Sequence, residues 1–436
     1  MNWRLWLSAS YLAVFLAGMA SFAEAAEVGA LYKEHCVACH GENRFGGVGP
    51  ALLPENLERL RKPEALKVIR DGRVATQMPG FGDKLKPEEM QQLADWIYTK
   101  VSPAPVWAAA EIKASHVVDA QALQLPGKPG AGLKGADPLN LFIVVETGDH
   151  HVSVLDGDKL ERLHRFPSRY ALHGGPKFSP DGRFVYFASR DGWITKYDIY
   201  NLTVVAEVRA GLNTRNAAVS GDGKWVMVAN YLPHTLVVLD AKDLSLAKII
   251  PVVNAKGDKT SRVSAVYDAA PRKSFVAALK DVPEAWEISY DPNAEPVAEG
   301  LVHDFQYKEG DFKPGYFYPR RTLLADYLDD FFFTQTYDEI LGSSRSATKG
   351  QVILLDGRKK VADLDLPGMP HLGSGITWQW TDPSGKERTV MASPNLNEGL
   401  ITVIDLKTFE NVKQIKTRGP GFFMRSHENR RYAFTD

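Results

Sequence analysis

The chain has only two cysteines, and both stand in Cys36-Val37-Ala38-Cys39-His40. Two thiols at this spacing can add across the two vinyl groups of a haem, and the next residue sets an imidazole under the iron. A bare CxxC is also found in redox dithiols and half zinc sites, and a disulfide would have to use this same pair. The adjoining His40, behind an export-like N-terminus, selects covalent c-type haem. Iron with a proximal His needs a sixth ligand, and a thioether there raises the potential of an electron-transfer cytochrome. Met78, in Gln77-Met78-Pro79-Gly80-Phe81, is the expected ligand. Met90 shares an apolar helix face with Leu93 and Trp96 and reads as core, and His35 has its reach restricted by its neighbour Cys36.

A c-haem moves one electron at a time, so the rest of the chain is expected to hold a second redox centre or a substrate. Three histidines lie in loop-like segments: His173 after Tyr170-Ala171-Leu172 and before Gly174-Gly175, His371 within Gly368-Met369-Pro370-His371-Leu372-Gly373-Ser374-Gly375, and His427 within Phe422-Phe423-Met424-Arg425-Ser426-His427-Glu428. Glycine lets a loop approach a ligand closely, and a near-neutral imidazole can bind a metal or move a proton. Arginines recur at strand ends: Arg169, Arg190, Arg215, Arg320, Arg321, Arg345 and Arg425. Guanidinium forks bind carboxylates bidentately, so a ring of them suits a ligand with several carboxylates. For any one of them, a surface ion pair is the plainer role.

The elements that must position these residues fall into blocks. Residues 1–25 combine Arg4, an apolar run from Leu5 to Phe22 and Ala23-Glu24-Ala25, the pattern of a cleaved export signal. Residues 26–102 read as a small all-α cytochrome, with helices over Glu27–His35, Pro63–Asp71 and Pro87–Val101, the last two opened by proline. Residues 103–139 are rich in Pro, Ala and Gly and read as a semi-rigid linker. From residue 140 to 436 a repeat appears. Val154-Leu155-Asp156, Lys196-Tyr197-Asp198 and Val238-Leu239-Asp240 close strand–turn–strand units, and Ser179-Pro180-Asp181-Gly182 returns as Ser220-Gly221-Asp222-Gly223. Weaker copies end at Asp291, Asp356 and Asp405. A period of about 40–50 residues with several short strands per unit predicts propeller blades, and Asp-Gly predicts hairpin turns with both central residues at positive φ. Arg431 to Asp436 looks like the opening strand of a blade that is not completed within this sequence. The formal charge is -1 with no basic stripe, which excludes nucleic-acid binding as an expectation, and no segment after the N-terminal one is apolar enough to span a membrane.

An exported c-type cytochrome joined to an Asp-Gly-repeat propeller resembles the cytochrome cd1 nitrite reductase family. The specific pieces are Tyr170-Ala171-Leu172-His173, the strand ending Ser189-Arg190-Asp191, Arg215, and Ala229-Asn230-Tyr231 with Pro233. The resemblance implies an eight-bladed propeller binding haem d1 non-covalently, with His173 as proximal iron ligand and Arg190 and Arg215 on the carboxylates. It implies further haem d1 contacts at Arg169, Tyr231, Lys280, Arg321, Arg345 and Arg425. The segment from His173 to Gly182 is one residue longer than in the reductases. Those enzymes use two distal histidines. Pro370-His371-Leu372-Gly373 resembles the segment of one, but Tyr318-Pro319-Arg320-Arg321-Thr322 holds no histidine where the other falls. An arginine cannot deliver a proton at neutral pH.

That departure, with Leu328-Asp329-Asp330-Phe331-Phe332-Phe333 and the segment from Gly419 to Glu428, looks like a sister branch, the periplasmic dihydro-haem d1 dehydrogenases of haem d1 biosynthesis. The branch implies oxidation of a propionate of dihydro-haem d1 to an acrylate, with electrons leaving through the c-haem. His371 is then the expected base, and His427 a second catalytic residue or the distal iron ligand. Implied partners are a periplasmic electron acceptor, a cytochrome cd1 nitrite reductase and another propeller protein of haem d1 biosynthesis. The alternative readings are nitrite reduction and, outside catalysis, a haem d1 carrier.

Overall fold

The structure, a computed structural model, describes residues 27–58, 60–74, 76–103, 105–299, 311–343, 349–366, 370–421, 423–426 and 432–435. The export-like segment 1–25, His427 and Arg345 lie outside the described residues.

The N-terminal unit is helical: α1 over 27–35, α2 over Val37–His40, α3 over Lys62–Asp71 and α4 over Pro87–Ile97. Proline takes the first position of α4, where its missing N–H costs nothing, and the Glu89 carboxylate accepts the Lys86 N–H at 2.7 Å. The helix stops at Ile97 rather than at the expected Val101. Arg44 donates to the carbonyls of Trp96 and Thr99 at 2.7 and 2.8 Å, which satisfies acceptors at the helix end. Val28, Tyr32, Phe81, Leu85, Met90 and Leu93 form the core, with Met78 at its margin.

Beyond this unit the described residues form six successive antiparallel sheets of three or more strands, the layout of propeller blades, and two further strand pairs. Three strands from Leu141 to Pro167 make the first sheet, and Lys177–Phe178, Phe184–Ala188, Trp193–Asp198 and Thr203–Arg209 run through the second. Four-stranded sheets follow over Asn213–Pro251, Val263–Leu323, Asp330–Leu364 and Ile376–Lys416. Met424–Arg425 then pairs with Phe434–Thr435. The repeated aspartates have a shared local cause. Asp156, Asp198, Asp240 and Asp405 each end a strand and accept the backbone N–H two residues on, at 2.9, 3.0, 2.7 and 2.8 Å. In the Asp-Gly turns only Gly182 and Gly223 take positive φ, 73° and 70°, and not the aspartates before them. The turn is closed by Gly182 N–H to Ser179 O at 2.8 Å, a wider hairpin than the two-residue turn expected.

The Pro/Ala/Gly-rich stretch is not a free spacer. It carries α5 over Ala109–Ala114 and a strand, Val117–Val118, that joins the second sheet beside Thr203–Arg209. Ile112 and Leu133 are buried, and the Trp107 indole donates to Arg209 O at 2.9 Å. Among the described residues, no helix is long and apolar enough to cross a membrane.

Candidate active site

A crevice of about 740 Å³ is lined by Cys36, Cys39, His40 and Met78, with Leu52, Ile69 and Leu93 among its apolar walls. Cys36 caps α2 and Cys39 lies within it, so one helical turn sets both thiols on one wall. Burial, with Cys39 beside it, pushes the Cys36 thiol up to about 11. His40 is buried, and its Nδ1 lies 2.8 Å from the Pro50 carbonyl. That bond needs the proton on Nδ1, which leaves Nε2 with the lone pair. Burial also lowers the affinity of the ring for a second proton. The backbone packs against the imidazole so closely that a Cβ on Gly49 would lie 2.9 Å from it. Two free thiols, an oriented neutral imidazole and a thioether in one apolar crevice fit a c-type haem. Met90 is core and forms no part of the crevice wall, and His35 lies edge-on to Phe81.

The crevice does not end in the helical unit. It runs on to Tyr170, Leu172, His173, Arg190, Asp191 and Tyr231 of the propeller. The seam is held by main-chain acceptors: Asn56 donates to Leu212 O at 3.0 Å and Asn213 to Glu55 O at 3.1 Å, and Arg209 bridges Asp191 O and Phe45 O. Asp191 is buried and accepts the Ala51 N–H at 3.2 Å. Burial pushes its carboxyl up to about 7, against the opposing pull of Arg209 and the Ala51 N–H.

His173 also faces a second cavity of about 520 Å³, lined by Lys177, Arg215, Tyr267, Asp330, His371 and Arg425. Its main chain donates to Ala188 O at 2.8 Å, and its Nδ1 lies 2.9 Å from Arg215 O and 3.0 Å from the Arg215 guanidinium; the carbonyl contact is a hydrogen bond with the proton on Nδ1, the tautomer that leaves the lone pair on Nε2. Arg190 meets that Nε2 at 3.1 Å. Gly174 follows at φ 86°, with an added Cβ only 2.6 Å from the Cβ of Asn216, so no larger residue fits this bend. Across the cavity, His371 Nε2 lies 3.4 Å from the Asp330 carboxylate and Nδ1 lies 3.1 Å from the Ser374 hydroxyl. Asp330 accepts from Tyr267 at 2.8 Å and from the Gly373 N–H at 3.0 Å. Burial, then the Asp330 charge, holds the Tyr267 hydroxyl well above its ordinary pKa, so it stays a donor.

Of the residues expected to contact a tetrapyrrole, Arg215 and Arg425 line the cavity, and Arg190 and Tyr231 line the far end of the crevice. Arg169, Lys280 and Arg321 line neither. Arg169 pairs with Glu207 and stacks 3.7 Å over Trp193, and Lys280 binds Asp329 at 2.8 Å. Arg321 donates to Val253 O at 2.7 Å and lies over Trp286. Asp330, Lys177 and Ser374 went unnamed as site residues in the sequence reading. The signal for Asp330 was present in Asp329-Asp330, but both line the cavity, and only the fold sets Asp330 beside His371 and Asp329 beside Lys280.

A family model described as Cytochrome D1 heme domain matches residues 136–436. The chain belongs to the cytochrome d1 haem domain family. Residues 23–97 match the family described as cytochrome C oxidase, cbb3-type, subunit III. Among cytochrome d1 haem domain relatives, dihydro-heme d1 dehydrogenase of Pseudomonas aeruginosa is 55% identical over 407 residues, covering 93% of this chain and 76% of that protein. The solved structure titled "Dihydro-heme d1 dehydrogenase NirN in complex with DHE" is 55% identical, with a TM-score of 0.82 over 93% of this chain and 81% of that one. Nitrite reductase of Stutzerimonas stutzeri is 23% identical over 439 residues, 93% of this chain and 74% of that protein. The branch expected from the motifs is borne out.

Proposed function

We propose that the protein oxidises a propionate side chain of dihydro-haem d1 to an acrylate within the propeller cavity. One observation carries the reading: a single cavity brings His173 and His371 together with Arg215 and Arg425, and its His173 wall is shared with the haem crevice. The Pseudomonas aeruginosa relative is named for this activity.

In the reaction –CH2–CH2–COO⁻ becomes –CH=CH–COO⁻ with release of two protons and two electrons. His173 Nε2 ligates the substrate iron, and Arg190 leaves that nitrogen for a substrate carboxylate. Arg215 and Arg425 take carboxylates inside the cavity. His371 takes a proton from the side chain, and Asp330 meets the positive charge that the imidazole gains. A c-type haem held by Cys36, Cys39, His40 and Met78 supplies one-electron acceptance. His427 is the distal ligand or a second catalytic group. On this reading the propeller closes with eight blades. The exported protein works in the periplasm, passes electrons to an acceptor there, and hands product to a cytochrome cd1 nitrite reductase or another propeller protein of haem d1 biosynthesis.

Against nitrite reduction stands Arg321, which occupies the segment of the second reductase histidine and is already engaged by Val253 O and Glu284. Incubating the full-length protein, anaerobically and with an electron acceptor, with dihydro-haem d1 should give a product lighter by two hydrogens in mass spectrometry. Unchanged tetrapyrrole would overturn the reading. Bound but unaltered dihydro-haem d1 would favour the carrier.

A further inference from the structure

We propose that Lys177 is the subsite for the carboxylate of the side chain being oxidised, an inference that rests on the dehydrogenase reading. The residue opens the short strand Lys177–Phe178, four positions after His173, and lines the propeller cavity. Its ammonium donates to Gly174 O at 2.7 Å, which ties it to the loop that carries His173. An ammonium has three N–H donors, and among the described residues this carbonyl is the one hydrogen-bond acceptor it reaches. No carboxylate of the described residues stands within ion-pair distance of it. Arg425 and Arg215 are its charged neighbours of like sign, and Asp330, which attracts it more weakly, is already committed to Tyr267, Gly373 and His371. Burial and those two arginines lower its pKa to about 8, so it remains cationic at neutral pH. A partly buried cation beside two others, with donors to spare, is a site for an anion.

Placement selects which anion. Arg190 and Tyr231 line the crevice but not the cavity, whereas Lys177 and His371 line the cavity but not the crevice. Carboxylates on the crevice side therefore fall to Arg190, and the one beside His371 falls to Lys177. Removing a proton next to a carboxylate builds further negative charge on its oxygens. An ammonium touching them is thus worth more in the transition state than in the bound substrate.

The test uses the c-haem-loaded full chain with dihydro-haem d1. Lys177→Met should still bind the tetrapyrrole, seen as a shift of its absorption bands, while single-turnover acrylate formation falls about a hundredfold. Lys177→Arg should recover most of the rate. Acrylate formation by Lys177→Met at the wild-type rate would overturn the proposal. A second arm needs no variant: wild-type protein should convert the methyl ester of the propionate about a hundredfold more slowly than the free acid, and equal rates would also overturn it. If wild-type protein makes no acrylate at all, the dehydrogenase reading fails instead. The subsite is then read from binding, where wild type should prefer the acid over the ester and Lys177→Met should not. Equal preference in both proteins would overturn the subsite.

Discussion

In the crevice, His40 sets Nδ1 against a main-chain carbonyl, Pro50 O at 2.8 Å, while across the cavity His371 sets Nε2 against a carboxylate, Asp330, at 3.4 Å. His173, where the two spaces meet, follows the first pattern, with Arg215 O at 2.9 Å. A carbonyl fixes tautomer and ring orientation and leaves a lone pair for iron. A carboxylate also meets a positive charge on the ring, which helps a proton acceptor. The walls differ in the same sense. The crevice is mostly apolar, as suits a group held by covalent bonds, whereas the cavity carries Lys177, Arg215 and Arg425 for a ligand held by its charges. On the proposed function, His40 and His173 are the ligands and His371, beside Asp330, is the base.

Variants can break this division. The largest effect is expected from Cys36→Ser with Cys39→Ser: covalent haem should vanish from the acid-acetone pellet and multiple turnover should stop, while the cavity still binds dihydro-haem d1. His371→Ala should bind substrate and lower acrylate formation by about 10²–10⁴, measured in single turnover. Asp330→Asn should cost about 10–100-fold in single-turnover acrylate formation, because it removes the carboxylate that lies 3.4 Å from His371 Nε2 and meets the charge the ring gains. Met78→Ala should lower the midpoint potential of the c-haem in a spectroelectrochemical titration and slow turnover only modestly.

The smallest effect concerns the seam. The Asp191 carboxyl is raised to about 7 in the folded protein from an unfolded value of 3.8, so the folded state binds the extra proton between these values. Stability is therefore full below the unfolded value and declines as pH rises through about 7. Melting temperature should fall from pH 5 to pH 8 in wild type and fall less in Asp191→Asn. An identical decline in both would remove Asp191 from the account.

What could be read in advance follows the range of the interactions involved. Cys36 to His40 was legible because thioether chemistry fixes residue types and spacing within five positions. The blade repeat was legible because Asp156, Asp198, Asp240 and Asp405 each bond to their own turn. The expected cationic contacts could not be sorted. Arg169, Lys280 and Arg321 are drawn off by Glu207, Asp329 and Glu284, which lie 38, 49 and 37 residues away in the chain. The composition of 103–139 was equally silent on where Ile112 and Leu133 would bury. Asp330 reaches His371 from 41 positions earlier in the chain, and only the folded sheet brings them together.

The most direct test of the division between crevice and cavity is anaerobic stopped-flow mixing of the oxidised, c-haem-loaded protein with half an equivalent of dihydro-haem d1, so that two c-haems are present for the two electrons of each acrylate, following c-haem reduction beside acrylate formation. The c-haem should become reduced at the rate at which acrylate appears, and His371→Ala should bind substrate with neither event. Acrylate accumulating while the c-haem stays oxidised, or appearing at full rate in His371→Ala, would contradict the account.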